Sequence, residues 1–459
     1  MFLRDNTVFV PVKDPNLSME KTPMPTQEAA RRVENYDEVA LGYTSDMAAA
    51  ESARCLKCPG RYCSVSCPAH VPTTEFIAKI RAGDYQGAYE LISAANALPA
   101  ITGRVCAQEK QCERDCTRGI RGESVSIGAL EAFVADWHAE HGKSLPCAAP
   151  NGIPVAVAGS GPAGLSCADD LSRAGFDVTL FEARNFMGGI PVYGIPGFVL
   201  PNEIVERKIA QLKAQGVKMR TGVKVGADIS VEALCSEFSA VFVATGAGKS
   251  VMPDIEGESL PGVYTAGNYL IAANVAHEPI EGKNVLVLGG GNTAVDAARC
   301  AVRSGAQSVT IVYRRSMEEM PARREELKRA QEEGVKFQFL AAPAAFHEAD
   351  GKLASLECYK TELTAPDYPG GRSGIAVTDE TFTLVADVAV LALGFTAEPI
   401  PGLAANDKGC IVVDKETLAT SQSGAYAGGD AVTGANTHVH AMAAGKKAAR
   451  IIIESLSVF

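Results

Sequence analysis

Four cysteines fall within thirteen residues in the run RCLKCPGRYCSVSCP, from Arg54 to Pro68. They are Cys55, Cys58, Cys63 and Cys67, and a second group, Cys106, Cys112 and Cys116, follows. Thiols this dense suit a disulfide knot, a zinc site or an iron–sulfur cluster. The opening residues MFLRDNTVFVPVKDPN mix charges and prolines where a secretory peptide needs an unbroken apolar stretch. The chain is therefore expected to be cytoplasmic, and in a reducing compartment thirteen cysteines are not read as a disulfide framework. Zinc commonly takes two CxxC-like pairs separated by a longer loop, and here only Cys55 and Cys58 have that spacing.

A close run ending in Cys-Pro is similar to the bacterial ferredoxin pattern, in which the fourth cysteine ligates the other cluster of a two-cluster protein. The gap between Cys58 and Cys63 is longer than the ferredoxin gap, so a ferredoxin fold is not implied. Iron–sulfur chemistry is expected. Two cubanes take four ligands apiece, and the seven cysteines leave one place unfilled. Cys167, Cys300 and Cys358 sit in stretches that read as helix or strand and are taken as small buried hydrophobes.

A different chemistry begins near residue 153. In IPVAVAGSGPAGLSCADDLSRAGFDVTLFEA an apolar stretch leads into Gly159, Gly161, Pro162, Ala163 and Gly164, and a second apolar stretch ends in Glu182. Glycines at these spacings let a pyrophosphate approach a helix N-terminus, whose dipole and free N–H groups favour an anion, while the acid accepts from ribose hydroxyls. The pattern recurs in KNVLVLGGGNTAVDAARCAVRSGAQSVTIVYRRS with Gly289, Gly291, Asn292, Thr293 and Ala294. This copy ends in Arg314 and Arg315, with Arg323 and Arg324 soon after. A carboxylate would repel a 2′-phosphate there, whereas guanidinium pairs with it, so NADP(H) is expected rather than NAD(H). Further on, AYAGGDAVTGANTHVHAMAAGKKAARIII places Gly429, Asp430 and Thr437 ahead of an Ala-rich helix. Asp430 is placed to accept from a flavin ribityl chain, with the helix N-terminus facing the reduced ring. His438 and His440, two apart, suit neither a metal motif nor one helix face and are read as ordinary polar residues.

The elements that must position these groups follow from the same segments. Each glycine run needs a strand before it and a helix after it. VATG at residues 243–246 and LALG ending in Gly394 close apolar strands as crossover strands do in two-dinucleotide flavoproteins. With 459 residues, about three domains are expected. A formal charge of −11 argues against a nucleic-acid partner. The apolar run LVADVAVLALG carries Asp387 and is well short of the ~18 apolar residues of a spanning helix, so no membrane partner is expected.

Taken whole, the sequence resembles the small, or beta, subunit of NADPH-dependent glutamate synthase, including its homotetrameric branch. It is similar too to the large subunit of NADH-dependent reduced ferredoxin:NADP+ oxidoreductase and to the N-terminal half of dihydropyrimidine dehydrogenase. The likeness is carried by EVALGYTSDMAAAESARCLKC, ALPAITGRVCAQEKQCERDC and MGGIPVYGIPGFVLP, and continues to the C-terminus. It implies FAD in the first fold, NADPH in the second and two [4Fe–4S] clusters in an N-terminal helical domain. One cluster would be held by Cys55, Cys58, Cys63 and Cys116, the other by Cys67, Cys106, Cys112 and Glu131, where relatives show glutamate or glutamine. Cys147, a softer donor in a linker, is then a free thiol. Gly188, Gly189 and the residues up to 197 would pack near the isoalloxazine, with Tyr193 a contact. Asn202 departs from the lysine common in relatives and leaves contacts near the flavin open.

The expected fold is α/β: an α-helical double-cluster domain over residues 1–150, an FAD domain in two segments, 151–280 and 395–459, and an NADPH domain, 281–394, inserted between them. Hydride passes from nicotinamide to flavin and single electrons leave through the clusters, so no side-chain acid or base is assigned. The chain begins Met1-Phe2, without the cysteine of N-terminal-nucleophile glutaminases, and has no length for an FMN barrel of ~250 residues. It is not expected to make glutamate alone. The expected role is an electron-input subunit for the glutamate synthase large subunit, with homo-oligomers left open. The rival is the large subunit of a flavin-bifurcating oxidoreductase, paired with a smaller flavin/iron–sulfur protein. A redox-inactive scaffold is disfavoured by the two complete nucleotide motifs.

Overall fold

The structure, a computed structural model, describes residues 15–275, 280–366 and 371–456. Residues 1–14, read above for a leader, lie outside the described residues. The first part is helical: α1 (Ala29–Arg32), α2 (Ser45–Ser52), α3 (Tyr62–Val65), α4 (Thr73–Arg81), α5 (Tyr85–Ala95), α6 (Pro99–Val105) and α7 (Ile127–His141). The starts of these helices are local chemistry. Thr44 and Asp84 accept from the backbone N–H groups of Met47 and Gly87, and Pro99 stands in the first turn of α6, where a missing N–H costs nothing. Phe76, Ile77, Ile80, Ile92, Leu130 and Val134 form the core of this part, and Cys55, Cys63, Cys67, Cys112 and Cys116 pack against it.

Two parallel sheets follow. Along the chain come β1 (Pro154–Ala158), α8 (Pro162–Arg173), β2 (Asp177–Phe181), α9 (Ile190–Tyr193), α10 (Asn202–Ala214), β3 (Lys218–Arg220), α11 (Val231–Glu237) and β4 (Ala240–Val243). Then come β5 (Lys249–Ser250), β6 (Val263–Thr265), α12 (Ala266–Val275), β7 (Asn284–Leu288), α13 (Asn292–Arg303), β8 (Ser308–Tyr313), α14 (Arg324–Glu332) and β9 (Lys336–Phe339). The chain closes with β10 (Ala341–Ala349), β11 (Lys352–Pro366), β12 (Ser373–Val385), β13 (Val388–Leu391), β14 (Phe395–Thr396), β15 (Ala425–Ala427), α15 (Asp430–Thr433) and α16 (His438–Leu456). The first sheet has the order β15-β4-β1-β2-β3 and the second β6-β13-β7-β8-β9; β10, β11 and β12 form a separate antiparallel sheet. β1, β4, β7 and β13 are nearly continuous apolar runs because strands inside a parallel sheet are covered on both faces. α16 returns the C-terminal segment to α8, where a Cβ on Gly445 would come 2.1 Å from the Ala163 carbonyl oxygen.

One expected boundary moves. β6 and α12 precede residue 281, yet β6 pairs in parallel with β13 in the second sheet. The crossing between sheets is the short antiparallel pair β5–β14, Lys249–Ser250 against Phe395–Thr396. β6 is a half-exposed edge strand of three residues, too short for an apolar run to mark it.

The helical part is joined to both sheets. Ala97, Leu98, Ile101 and Cys106 share a core with Val155, Val157, Met187 and Leu200 of the first sheet domain. Val39 lies in the core of the second sheet domain with Phe198, and its N–H donates to the Phe198 carbonyl at 2.9 Å. Among the described residues no helix is long and apolar enough to cross a membrane.

Candidate redox sites

The thiols of the helical part fall into two groups. Lys57 and Arg61 take left-handed backbone conformations, φ 50° and 44°, and turn the chain between Cys55 and Cys63. Cys55, Cys58, Cys63 and Cys116 line one cleft with Thr73, Ile77 and Thr117, and the Cys58 thiol donates to Thr117 Oγ1 at 3.2 Å. Burial pushes the Cys55 thiol up to about 12, and Cys63, Cys116 and Cys58 add to the rise. The second group is deeper. Burial raises Cys106 and Cys112 well above the usual thiol range, with Glu131 and Cys67 contributing in both cases. Glu131, on α7, is itself pushed up to about 7 by burial, against hydrogen bonds from Thr102 Oγ1 at 2.5 Å and Asn96 Nδ2 at 3.1 Å. Both bonds fall on Oε1, so Oε2 is the atom with which this residue would reach a metal. Among the described residues no three Cys, His or acidic side chains close around a single ion. The four thiols of the first group line a common cleft.

The first glycine turn is built for a close approach. Gly159, at φ 103°, could not carry a Cβ, which would stand 2.4 Å from the Ala244 carbonyl oxygen, and one on Gly164 would meet the Gly159 oxygen at 1.8 Å. A Cβ on Gly161 meets nothing within 4 Å, which leaves the mouth of the turn open at the N-terminus of α8, where Pro162 and Ala163 begin the helix. Glu182, at the end of β2, is buried and accepts from the Ser160 N–H at 3.1 Å, the Ser160 hydroxyl, and the Arg184 N–H at 2.9 Å. Gly188 donates to Ser160 Oγ at 2.9 Å, and Gly189, at φ 61°, lies against Gly161. Gly429 packs on Ala163 and delivers Asp430, whose Oδ1 is buried with no hydrogen-bond partner. Burial pushes the Asp430 carboxyl up to about 6. An orphaned acceptor at the open end of a dinucleotide fold fits a hydroxyl-bearing flavin chain.

Tyr193 is fixed by its own loop. Its hydroxyl is held by Phe186, accepting from the N–H at 2.7 Å and donating to the carbonyl at 3.2 Å, while Arg184 lies over its ring. Thr437 Oγ1 is bonded to His440 Nδ1 at 2.6 Å and reached by Gln111 Nε2 of the helical part at 3.5 Å. His438 is half-buried at the start of α16, and burial pushes its imidazole down to about 4. Gln111 and Gly445 were not singled out from the sequence. For Gly445 a small residue in an Ala-rich helix was a signal; for Gln111 there was none.

The second glycine turn repeats the first. A Cβ on Gly289 would stand 2.2 Å from the Ala392 oxygen, whereas Gly291 and Gly394 face open space. Asn292 and Thr293 open α13, and Ala294 is fully buried beneath them. The three arginines expected at the 2′-phosphate separate. Arg314 is exposed at the end of β8, and Arg315 Nε is tied to the Ser373 carbonyl at 2.7 Å. Arg323 turns away: its guanidinium donates to the Arg104 carbonyl and, at 3.2 Å, to Gln108 Oε1 in the helical part.

Residues 153–445 match the pyridine nucleotide-disulphide oxidoreductase family, and residues 32–143 match dihydropyrimidine dehydrogenase domain II, 4Fe-4S cluster. The chain is 34% identical over 464 residues to the glutamate synthase [NADPH] small chain of Escherichia coli, covering 96% of this chain and 98% of that one. It is 37% identical over 420 residues to the NADP(+)-dependent formate dehydrogenase subunit beta of Moorella thermoacetica, covering 84% of this chain and 59% of that one. In fold it is similar to Mycobacterium tuberculosis FprA in complex with NADPH, with a TM-score of 0.57 and 20% identity over 67% of this chain and 85% of that one.

Proposed function

This chain belongs to the glutamate synthase NADPH small-chain family of pyridine nucleotide-disulphide oxidoreductases, and from that premise we propose that it carries two [4Fe–4S] clusters and feeds electrons from NADPH to a partner protein. It is an FAD- and iron–sulfur-dependent NADPH oxidoreductase of the electron-input type. The observation that carries the two-cluster reading is the partition of the thiols. Cys55, Cys58, Cys63 and Cys116 share a cleft with the exposed Tyr62, whereas Cys67, Cys106, Cys112 and Glu131 are electrostatic neighbours, Cys106 and Glu131 buried and Cys67 and Cys112 half-buried, with Cys106 in the core of the flavin domain.

Each nucleotide site assigns work to the chain's own groups. The turn at residues 159–164 would hold the FAD pyrophosphate on backbone N–H groups, Asp430 Oδ1 would accept from a flavin hydroxyl, and Glu182 would face the adenosine ribose. At the second turn, Gly289, Gly291, Asn292 and Thr293 would hold the NADPH pyrophosphate and Arg314 the 2′-phosphate. Bound in these places, FAD and the clusters supply hydride acceptance and one-electron transfer, chemistry that no side chain here supplies. The partner we propose is the glutamate synthase large subunit; a smaller flavin/iron–sulfur protein is the outcome that would favour electron bifurcation.

The experiment is anaerobic purification with iron analysis and steady-state reduction of an artificial acceptor. About eight irons per chain are expected, and NADPH should be used far better than NADH. Arg314→Ala should raise the KM for NADPH about 10- to 100-fold, the worth of a charge-assisted hydrogen bond, and leave NADH oxidation unchanged. A content of four irons would reduce the count to one cluster, and equal rates with both nucleotides would remove Arg314 from the phosphate. Mass spectrometry of co-purifying chains identifies the partner.

A further inference from the structure

Residues 316–324, which follow β8, lie between the second glycine turn and the helical part. On the nucleotide side, Ala322 N donates to the Gly290 carbonyl at 3.1 Å and Arg323 N to Asn292 Oδ1 at 2.8 Å. On the other side, Lys110 Nζ donates to the Pro321 carbonyl at 2.5 Å and Arg324 N to Glu109 Oε1 at 3.0 Å. The Arg323 guanidinium spans the remaining gap to the Arg104 carbonyl and Gln108 Oε1, on either side of Cys106. Gln108 Nε2 then donates to the Gly103 carbonyl at 3.0 Å, and Thr102 beside it holds Glu131. Arg323 Nε is buried with no partner among the described residues.

We propose that Arg323 is a positioning residue of the second cluster: it pins the loop at residues 106–112 to the floor of the nucleotide site and places a fixed positive charge beside the cluster of Cys67, Cys106, Cys112 and Glu131. The inference rests on the reading above that these four residues hold a cluster. A permanent cation in a poorly solvated site favours the more negative, reduced state of its neighbour, so Arg323 raises that cluster's potential. Two of the acids beside it, Asp296 and Glu326, do not cancel it. Burial pushes Asp296 up to about 8, which keeps it largely neutral at pH 7, and Glu326 is already paired with Arg299 and Arg329. Arginine suits the place because its planar fork reaches two separate acceptors and it does not lose its proton. With both terminal nitrogens committed to the helical part, the 2′-phosphate is left to Arg314 and the terminal nitrogens of Arg315.

The test compares the full-length loaded protein with Arg323→Gln, Arg323→Lys and Gln108→Glu. Iron content, an EPR-monitored redox titration and a titration with NADP+ followed by flavin absorbance are measured for each. Arg323→Gln should keep about eight irons, shift the potential of one cluster to more negative values, leave the other unmoved, and change the NADP+ Kd by no more than about twofold. Arg323→Lys should restore most of that potential. Gln108→Glu, which neutralises the guanidinium without removing it, should lower the same potential and covers the case in which Arg323→Gln fails to fold. An NADP+ affinity about tenfold weaker with both potentials unchanged would return Arg323 to the phosphate. Unchanged potentials in both Arg323→Gln and Gln108→Glu would overturn the inference while eight irons kept the two-cluster reading standing. A parent protein with four irons would overturn both.

Discussion

Carboxylate is a harder ligand than thiolate, so on ligand chemistry alone Cys147 would complete two cubanes before Glu131. Their surroundings reverse that order. Cys147 is exposed in the segment between α7 and β1, and ordering it as a ligand would cost chain entropy. Glu131 is buried on a helix, already aimed by Asn96 and Thr102, with Cys67, Cys106 and Cys112 as electrostatic neighbours. Iron analysis and EPR of two variants check this. Cys147→Ser is expected to keep about eight irons with unchanged signals. Glu131→Ala should disturb one cluster, by loss or a changed potential, and leave the cluster of Cys55, Cys58, Cys63 and Cys116 intact. Damage from Cys147→Ser with none from Glu131→Ala would exchange the two assignments.

At the scale of elements, α1, α13 and α14 are tied by one carboxylate. Glu333, at the end of α14, accepts from Arg32 Nε at 2.7 Å, from Arg299 Nε and Nη2 at 2.9 and 2.8 Å, and from Arg303 Nη1 at 2.8 Å. Arg299 and Arg303 also lie over the Phe198 ring, which extends the lock to the flavin domain. Burial alone would raise the Glu333 carboxyl; the hydrogen bonds and charges of Arg299 and Arg303 outweigh it and hold the group at about 2. A folded-state value below the ordinary 4.5 means that this stabilisation is complete above pH 4.5 and is lost as pH falls through about 2. Glu333→Gln leaves buried guanidinium groups short of a counter-charge and should cost about 3–5 kcal/mol in the second nucleotide domain. Urea unfolding at pH 7 measures the loss, and repeating it towards pH 2 should bring the two proteins together. A constant difference across that range would show that Glu333 is not the titrating group.

The whole molecule is less divisible than three sequence segments suggest. Ala97, Leu98, Ile101 and Cys106 of the helical part complete the core of the flavin domain, and Gln111 reaches Thr437 at the head of α16. A chain cut to residues 151–459 would bare the surface that these side chains cover, a loss of roughly 5 kcal/mol at the usual worth of a few buried apolar side chains. Such a fragment is expected to aggregate or to be recovered with little FAD, as read by size-exclusion chromatography and flavin absorbance. A monodisperse, flavin-replete fragment would show that the shared core is dispensable.

The sequence by itself determined the groups whose chemistry is local. Gly159, Gly161 and Gly164, their copies at Gly289 and Gly291, and the acid at Glu182 were legible because a strand, a tight turn and a helix leave a fixed short-range pattern. The alternation of apolar runs with these turns likewise announced two dinucleotide-binding folds. Cysteine spacing announced iron–sulfur chemistry, but the proposed sharing of ligands and the proposed role of Glu131 came only through resemblance, since seven thiols in line do not reveal which face one another. Tertiary structure decided the rest. Arg314, Arg315 and Arg323 look equivalent on paper, yet one is exposed, one is held by a strand and one is bonded to the helical part. β6 joined a sheet that its three residues could not advertise, and Asp430 became an orphaned acceptor only when α16 closed on α8. Short-range sequence pattern encodes backbone conformation, whereas a side chain's partner and dielectric surroundings are set by segments hundreds of positions away that folding brings within a few ångströms.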